Sequence, residues 1–385
     1  MLRSNISIYI HWPWCLHKCP YCDFNSHLID TSISEKLMLD SLKSELLYYF
    51  KKIGARNTTS IFFGGGTPSL MKSDTCSKII DFINKYLPID KNAEITLEAN
   101  PTSIESSKLT KFYKSGINRL SLGIQSFNED GLKFLGRNHN VSEAIRAAES
   151  ARSIFPRFSF DLISSRPKQS LKQWELELKV ATKYIKDHIS VYQLTIEKGT
   201  PFYSQYKKGL FSLPREHKSL DIFKLTREIL VQEGLYAYEI SNHSIKGSES
   251  KHNLNVWEYR DYIGIGPGAH SRIKINNQIY ALESCRKPSS WIKKIKNNGN
   301  GIILFKKLCP KEAMQEAIIL GLRLSKGINI RSLEKKIGIK YEDVINLEFQ
   351  EQAAKNNLVS LEKNNIKITS SGTYVLNTLI SKLLL

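Results

Sequence analysis

Three cysteines fall within eight residues, Cys15-Leu-His-Lys-Cys19-Pro-Tyr-Cys22, directly after the apolar run from Ile6 to Ile10. A compact thiolate set of this kind suits a soft metal or an iron–sulfur centre. A four-iron cube normally takes four cysteines, one for each iron. Here the local run stops at three, and Phe24 closes it. One iron would keep an open position, and open positions are where metal chemistry happens. Two other readings stand beside this one. Half of a zinc site would need a second ligand pair at a fixed spacing, and His11, His17 and His27 are near enough to serve. A disulfide would need an oxidising compartment, which nothing else in the chain suggests.

The chain has 385 residues, enough for one large domain and a smaller one, and its 41% hydrophobic content supports a core. No apolar run is long enough for a spanning helix, and the first residues lack the apolar core of a signal peptide. A cytoplasmic location is the expectation, with the inner face of the membrane as a peripheral alternative. The net charge of +19 invites a nucleic-acid reading. The excess, however, is lysine scattered among Ile and Asn, as AT-rich coding would produce. No basic stripe alternates with aromatics, so nucleic acid is not the expected ligand.

Strand-like and helix-like segments alternate through the first half. Strands are expected at residues 6–11, 59–63, 94–97, 119–124, 157–163 and 188–196. Helices are expected at 34–52, with Ser34 as cap, and at 73–87, 104–115, 129–135, 142–153 and 171–185. This alternation predicts an α/β fold, a partial (β/α)6 barrel occupying residues 1–200. Residues 201–308 read as a connecting α/β region, with a strand at 236–240 and a tight glycine-rich turn at 264–270. Residues 309–385 read as a C-terminal α+β, winged-helix-like domain. It would have helices at 313–324, 330–337, 341–356 and 371–384, and a wing at 358–361 and 366–368.

Chemistry-bearing residues follow the strands, where sites in such folds lie. Gly64-Gly65-Gly66-Thr67-Pro68 lets the backbone approach a ligand closely. No Gly-Lys-Ser/Thr follows, so it is not a phosphate loop. Glu98, Gln125 and Asp161 stand at strand ends, and Arg137, beyond the fourth strand, suits a carboxylate. Each alone reads as an ordinary strand-end polar residue, but together they mark a small-molecule site. His252 lies in His252-Asn-Leu-Asn-Val-Trp257. On spacing alone it reads as a surface histidine bonded to the following turn, with an axial haem ligand as the alternative. Cys76, Cys285 and Cys309 have no partner at ligand spacing and read as structural or incidental thiols.

The cysteine spacing with its flank, Tyr9-Ile-His-Trp-Pro-Trp-Cys15, resembles the radical S-adenosylmethionine superfamily. Together with GGGTPS, EANP, GIQSF, GRNH and GIGPGAHS it resembles the oxygen-independent coproporphyrinogen III oxidase-like family, from about residue 6 to the C-terminus. By that resemblance Cys15, Cys19 and Cys22 ligate a [4Fe–4S] cluster. Its open iron binds the methionine part of S-adenosyl-L-methionine (SAM), whose amino group the Gly64–Thr67 turn holds. Tyr9, Tyr21, Gly65, Gly66, Thr67, Glu98, Gln125, Arg137 and Asp161 are the implied cofactor-binding residues. His252 falls in a haem-associated HNxxYW motif.

Two functions divide this family. The dehydrogenases carry a further cysteine two positions after the third, and a longer N-terminal arm. Phe24 and the early Cys15 therefore place the chain nearer the haem chaperones, which bind haem as cargo and hand it to acceptor haemoproteins. Respiratory enzymes at the membrane are candidate acceptors, and a homodimer is left open. The alternative is radical decarboxylation of coproporphyrinogen III in haem biosynthesis. A third reading is a winged-helix regulator with an iron–sulfur sensor. Two departures from the family pattern stand out. Val256 replaces the tyrosine of HNxxYW, removing a ligand or donor. Ser164-Ser165-Arg166 replaces Tyr/His-Gly-Leu, losing a glycine next to Asp161.

Overall fold

In β1 (Ser4–Trp12) the side chains alternate between two buried faces. Ile6, Ile8 and Ile10 are at most 1% exposed and enter the main hydrophobic core. Ser7, Tyr9 and His11 point the other way, into the interior of a curled sheet. A computed structural model, which describes residues 4–102 and 107–385, repeats this alternation in strand after strand. On β2 (Arg56–Gly65), Ile61 and Phe63 pack outward while Ser60 and Phe62 face in. On β3 (Ile89–Ala99) the inward set is Glu94, Thr96 and Glu98. It is Arg119, Ser121 and Gly123 on β4 (Arg119–Gln125), and Ser159 and Asp161 on β5 (Arg157–Ser164). On β6 (His188–Gln193) it is His188, Ser190 and Tyr192. The result is a polar lumen inside an apolar jacket.

The jacket is supplied by the intervening helices: α1 (Glu35–Ile53), α2 (Ser73–Tyr86), α3 (Leu109–Lys114), α4 (Glu129–Phe134), α5 (Val141–Ile154) and α6 (Leu171–Thr182). Ser34 caps α1 as expected, accepting from Leu37 N at 3.2 Å. Asn140 and Ser170 open α5 and α6 with capping boxes. Of the helix expected at 104–115, residues 104–106 lie outside the described residues and α3 covers Leu109–Lys114. The architecture is thus the expected α/β partial barrel with a C-terminal winged-helix-like unit.

The sheet does not stop at β6. Strands β7 (Tyr236–Ala237), β8 (Asn242–Ser244), β9 (Tyr262–Ile265), β10 (His270–Ile275), β11 (Gln278–Ser284) and β12 (Ile302–Lys307) extend it to twelve, in the order β12-β11-β10-β9-β1-β2-β3-β4-β5-β6-β8-β7. Strand β9 runs parallel to β1, with Tyr9 opposite Gly264. It is a seventh parallel strand, at residues that the sequence shows only as the approach to a glycine turn. Four residues carrying a glycine give too short a pattern to read as a strand. Gly264 is required there, because a Cβ would stand 2.2 Å from His270 O.

The tail has its own core around Leu333, Val344, Ile366 and Leu379. Its three-stranded sheet pairs Ile328–Asn329 with Asn365–Ile368, and that strand with Val359–Glu362. The helix expected at 341–356 is broken: a 3-10 turn at Tyr341–Asp343 precedes a helix at Leu347–Lys355, which Asn346 caps. The helix expected at 371–384 likewise divides into Ser370–Thr373 and Leu376–Leu383. Among the described residues no helix is long and apolar enough to cross a membrane.

Candidate functional site

The cysteine loop leaves the end of β1 and folds back on itself. Trp14–Cys15 pairs in parallel with His27–Leu28, and Ile29 N donates to Cys15 O at 3.2 Å. Cys15 is buried, Cys19 and Cys22 are half-buried, and none forms a disulfide. Burial pushes the Cys15 thiol up. The Thr67 hydroxyl, which donates to its sulfur at 3.4 Å, pulls it down, and the neighbouring Cys22 and Cys19 push it up again. Arg137 donates Nη1 to Cys19 Sγ at 3.3 Å. Among the described residues no three His, Cys, Asp or Glu side chains converge as ligands of a single ion. A four-iron cube gives each thiolate its own iron, so its three sulfurs need not converge. The donor set fits such a cube, and Thr67 and Arg137 supply hydrogen bonds of the kind that tune cluster sulfurs.

The glycine turn lies against this loop. Gly65 has φ +115°, and a Cβ on it would sit 2.6 Å from the His11 ring. One on Gly66 would sit 2.7 Å from the Pro13 carbonyl oxygen. The turn's N–H groups are spent inward: Gly65 donates to Glu98 Oε2 at 3.3 Å, Gly66 to Trp12 O at 2.7 Å and Thr67 to Trp14 O at 2.8 Å. What such a turn offers a ligand is carbonyl oxygen, an acceptor suited to an ammonium group.

The strand-end residues gather around it. Burial first, then the Asp161 charge, pushes Glu98 up to about 8. Burial raises Asp161 to about 6 against hydrogen bonds from Ser190 and Ser121 and the cations Arg119 and Arg137. Gln125 ends β4 in the left-handed region at φ 70°, a strain that a site can hold. Tyr21 lies beside Arg137 and Cys19, its ring against Phe202 at 6.3 Å. Within the chain, Arg137 is held by neutral acceptors and a thiol. Its Nη2 donates to Asn100 Oδ1 at 2.5 Å and Gly123 O at 2.8 Å, and its other arm goes to Cys19. Asn100 is a member that the sequence did not single out, although it stands two residues after Glu98.

Beside this set lies a cavity of about 570 Å³. Tyr9, Gly65 and Glu98 form one wall; His252, Val256, Tyr262 and His270 belong to the other. His252 is not the surface residue that its spacing suggests. It is 6% exposed, on a helix at Lys251–Trp257 capped by Ser250. Its ring lies 5.0 Å from Phe62 and 6.3 Å from Tyr9. Nδ1 lies 3.1 Å from Ser60 Oγ, and burial with the Arg119 charge pushes its pKa down to about 3. The imidazole is therefore neutral. Ser60 was not identifiable from sequence, since nothing marks one inward serine among many.

The departure at residues 164–166 is accommodated locally. Ser165 takes the left-handed conformation, φ 57°, that suits the family's glycine, and its buried hydroxyl has no partner among the described residues. Arg166 is buried and paired with Glu177. Glu177 in turn accepts from Ser126 Oγ at 2.5 Å and Phe127 N at 2.9 Å. The exchange thus ties the turn after Gln125 to α6.

Comparison with known proteins agrees with this geometry. The Radical SAM superfamily profile matches residues 9–181, and the HemN C-terminal domain profile matches residues 308–375. A protein called heme chaperone HemW from Haemophilus influenzae is 35% identical over 384 residues, covering 97% of each chain. One of the same name from Buchnera aphidicola is 46% identical over 275 residues, covering 71% of this chain and 72% of the relative. In fold, the chain superposes on coproporphyrinogen III oxidase (HemN) from Escherichia coli with a TM-score of 0.83 at 22% identity, covering 99% of this chain and 90% of that one. The chain belongs to the HemW family within the radical S-adenosylmethionine superfamily.

Proposed function

We propose that this chain binds haem in the cavity between β1 and the helix Lys251–Trp257 and passes it to acceptor haemoproteins. Respiratory haemoproteins are the first acceptors to try. The superfamily implies a [4Fe–4S] cluster and SAM. Cys15, Cys19 and Cys22 would hold the cluster. Tyr9, Tyr21, Gly65, Gly66, Thr67, Glu98, Gln125, Arg137 and Asp161 would line the nucleotide site. When bound, these cofactors supply the one-electron chemistry that no side chain can.

The chain's own residues position and screen. The glycine turn accepts an ammonium group on its carbonyls. Thr67 and Arg137 donate to the cysteine sulfurs. Glu98, held largely protonated at neutral pH, both donates and accepts hydrogen bonds without adding a second negative charge beside Asp161.

The observation that carries the haem reading is His252. It is a neutral, buried imidazole on a cavity wall, with Nδ1 engaged by Ser60 and no hydrogen-bond partner on Nε2 among the described residues. A metal-binding histidine is normally held in this way, one nitrogen oriented by a neighbour and the other free for iron. Anaerobically reconstituted protein should develop a Soret band with haem and surrender it to an apo-haemoprotein. His252→Ala should weaken haem binding at least about tenfold while leaving cluster iron in place. No Soret band with the parent protein, or tetrapyrrole product from coproporphyrinogen III under reducing conditions with SAM, would overturn the proposal.

A further inference from the structure

We infer that the mouth of this cavity carries a carboxylate subsite, formed by Arg286 and Lys18, that takes the propionates of a tetrapyrrole whose apolar body enters past Phe24 and Ile303. The inference rests on the haem reading above and names the part of the cargo that the mouth recognises.

Among the described residues, Arg286 is the one lysine or arginine lining the cavity. Among the described residues its guanidinium makes no ion pair and no side-chain hydrogen bond. Its backbone is fixed, because Asn25 Nδ2 donates to Arg286 O at 2.9 Å and to Pro267 O at 2.8 Å. Asn25 belongs to the cysteine loop, so that loop and the far wall meet here. Lys18 lies on the same loop. Its Nζ donates to Ser26 O at 3.3 Å and meets no carboxylate among the described residues. His27 feels both cations. Burial lowers its pKa first, and the Lys18 and Arg286 charges lower it further, so both act on one ring.

Glu283, the acid nearest the mouth, lies 3.7 Å from His270 Nδ1. Asp23 on the loop is exposed and makes no salt bridge among the described residues. Neither cation has a carboxylate partner among the described residues, and a bound carboxylate would supply one. The rim selects what kind of anion. Phe24 is 60% exposed and Ile303 57% exposed, and both line the cavity. Large apolar side chains left in water around a cation suit an amphipathic ligand more than a free phosphate.

The test uses reconstituted full-length protein and two probes, haem and haem dimethyl ester, whose propionates are blocked. Affinities are read from the Soret band. Arg286→Gln should raise the Kd for haem about tenfold, the usual scale of a lost charge-assisted contact. The Kd for the ester should change less than twofold. Lys18→Gln should act in the same direction, more weakly. Cluster absorbance and ester binding report whether the variants fold. Equal losses for haem and ester, or no loss for haem, would overturn the subsite and leave the haem reading standing. Failure of the parent protein to bind either probe would instead overturn the haem reading beneath it.

Discussion

The cavity has two walls built by different means. The first comes from the carboxyl ends of β1, β2 and β3, and backbone pairing holds it: His11 lies opposite Gly64 and Phe63 opposite Leu97. The second comes from the helix Lys251–Trp257, the turn after β9 and the end of β11. Strand β9 is laddered to β1, but the helix and the glycine turn are tied in by buried side chains reaching from the first half. Glu94 accepts from Ser250 Oγ at 3.3 Å and His252 N at 3.2 Å. Glu45, from α1, accepts from Gly266 N and Gly301 N at 2.8 Å, Trp291 Nε1 at 3.1 Å and Ser284 Oγ at 3.2 Å. Asn25 is the third anchor. A wall made of ladder hydrogen bonds spreads its load over many residues. A helix and a turn hung on three polar side chains concentrate it.

Glu45→Gln is the strongest test of that difference. It turns an NH₂ group toward donors that need an acceptor, and an unpaired buried amide results. The expected loss is about 3 kcal/mol of stability, measured by denaturant unfolding. Haem affinity should fall with it while cluster iron per chain stays constant. Loss of iron in step with haem would mean that the walls are not separable.

A smaller effect belongs to the first wall. Glu98 ionises at about 8 in the folded chain against 4.5 ordinarily. A carboxyl with a raised pKa contributes stability that is complete below the unfolded value and is lost as pH rises through the folded one. Neutral buried histidines such as His11 and His252 oppose this only below about 6.5, their unfolded pKa. Between about pH 6.5 and 8, the apo chain should therefore lose on the order of 2 kcal/mol through Glu98. Glu98→Gln should flatten that fall in thermal unfolding. An unchanged slope would assign it to Glu45, which is raised to about 7, and so to the second wall.

The smallest change separates strain from function. Ser165→Gly should stabilise the chain by about 1 kcal/mol, since glycine adopts the left-handed turn freely, and should leave SAM affinity unaltered. A matching rise in affinity would mean that the strained turn limits the cofactor site.

The first wall was largely legible before any coordinates. Period-two strands put polar residues on one parity, so Glu98, and beyond this wall Gln125 and Asp161, could be found by counting from apolar neighbours. The second wall was not. Strand β9 is four residues long, His252 looks exposed by spacing, and Ser60, which lies against its ring nitrogen, is one inward serine among many. None of these follows from a local pattern, because each depends on what arrives from elsewhere in the chain.

Local periodicity and the triple cysteine were enough to specify an open α/β barrel whose first strand runs into a three-cysteine loop, because those signals are written within single segments. Tertiary folding alone decided that Glu45, Glu94 and Asn25 would serve as anchors, and that Arg286 would line the same cavity as Tyr9 and Glu98. Those pairings span 156 to 256 residues for the two acids, and the energy of a buried hydrogen bond carries no trace in the sequence around either partner.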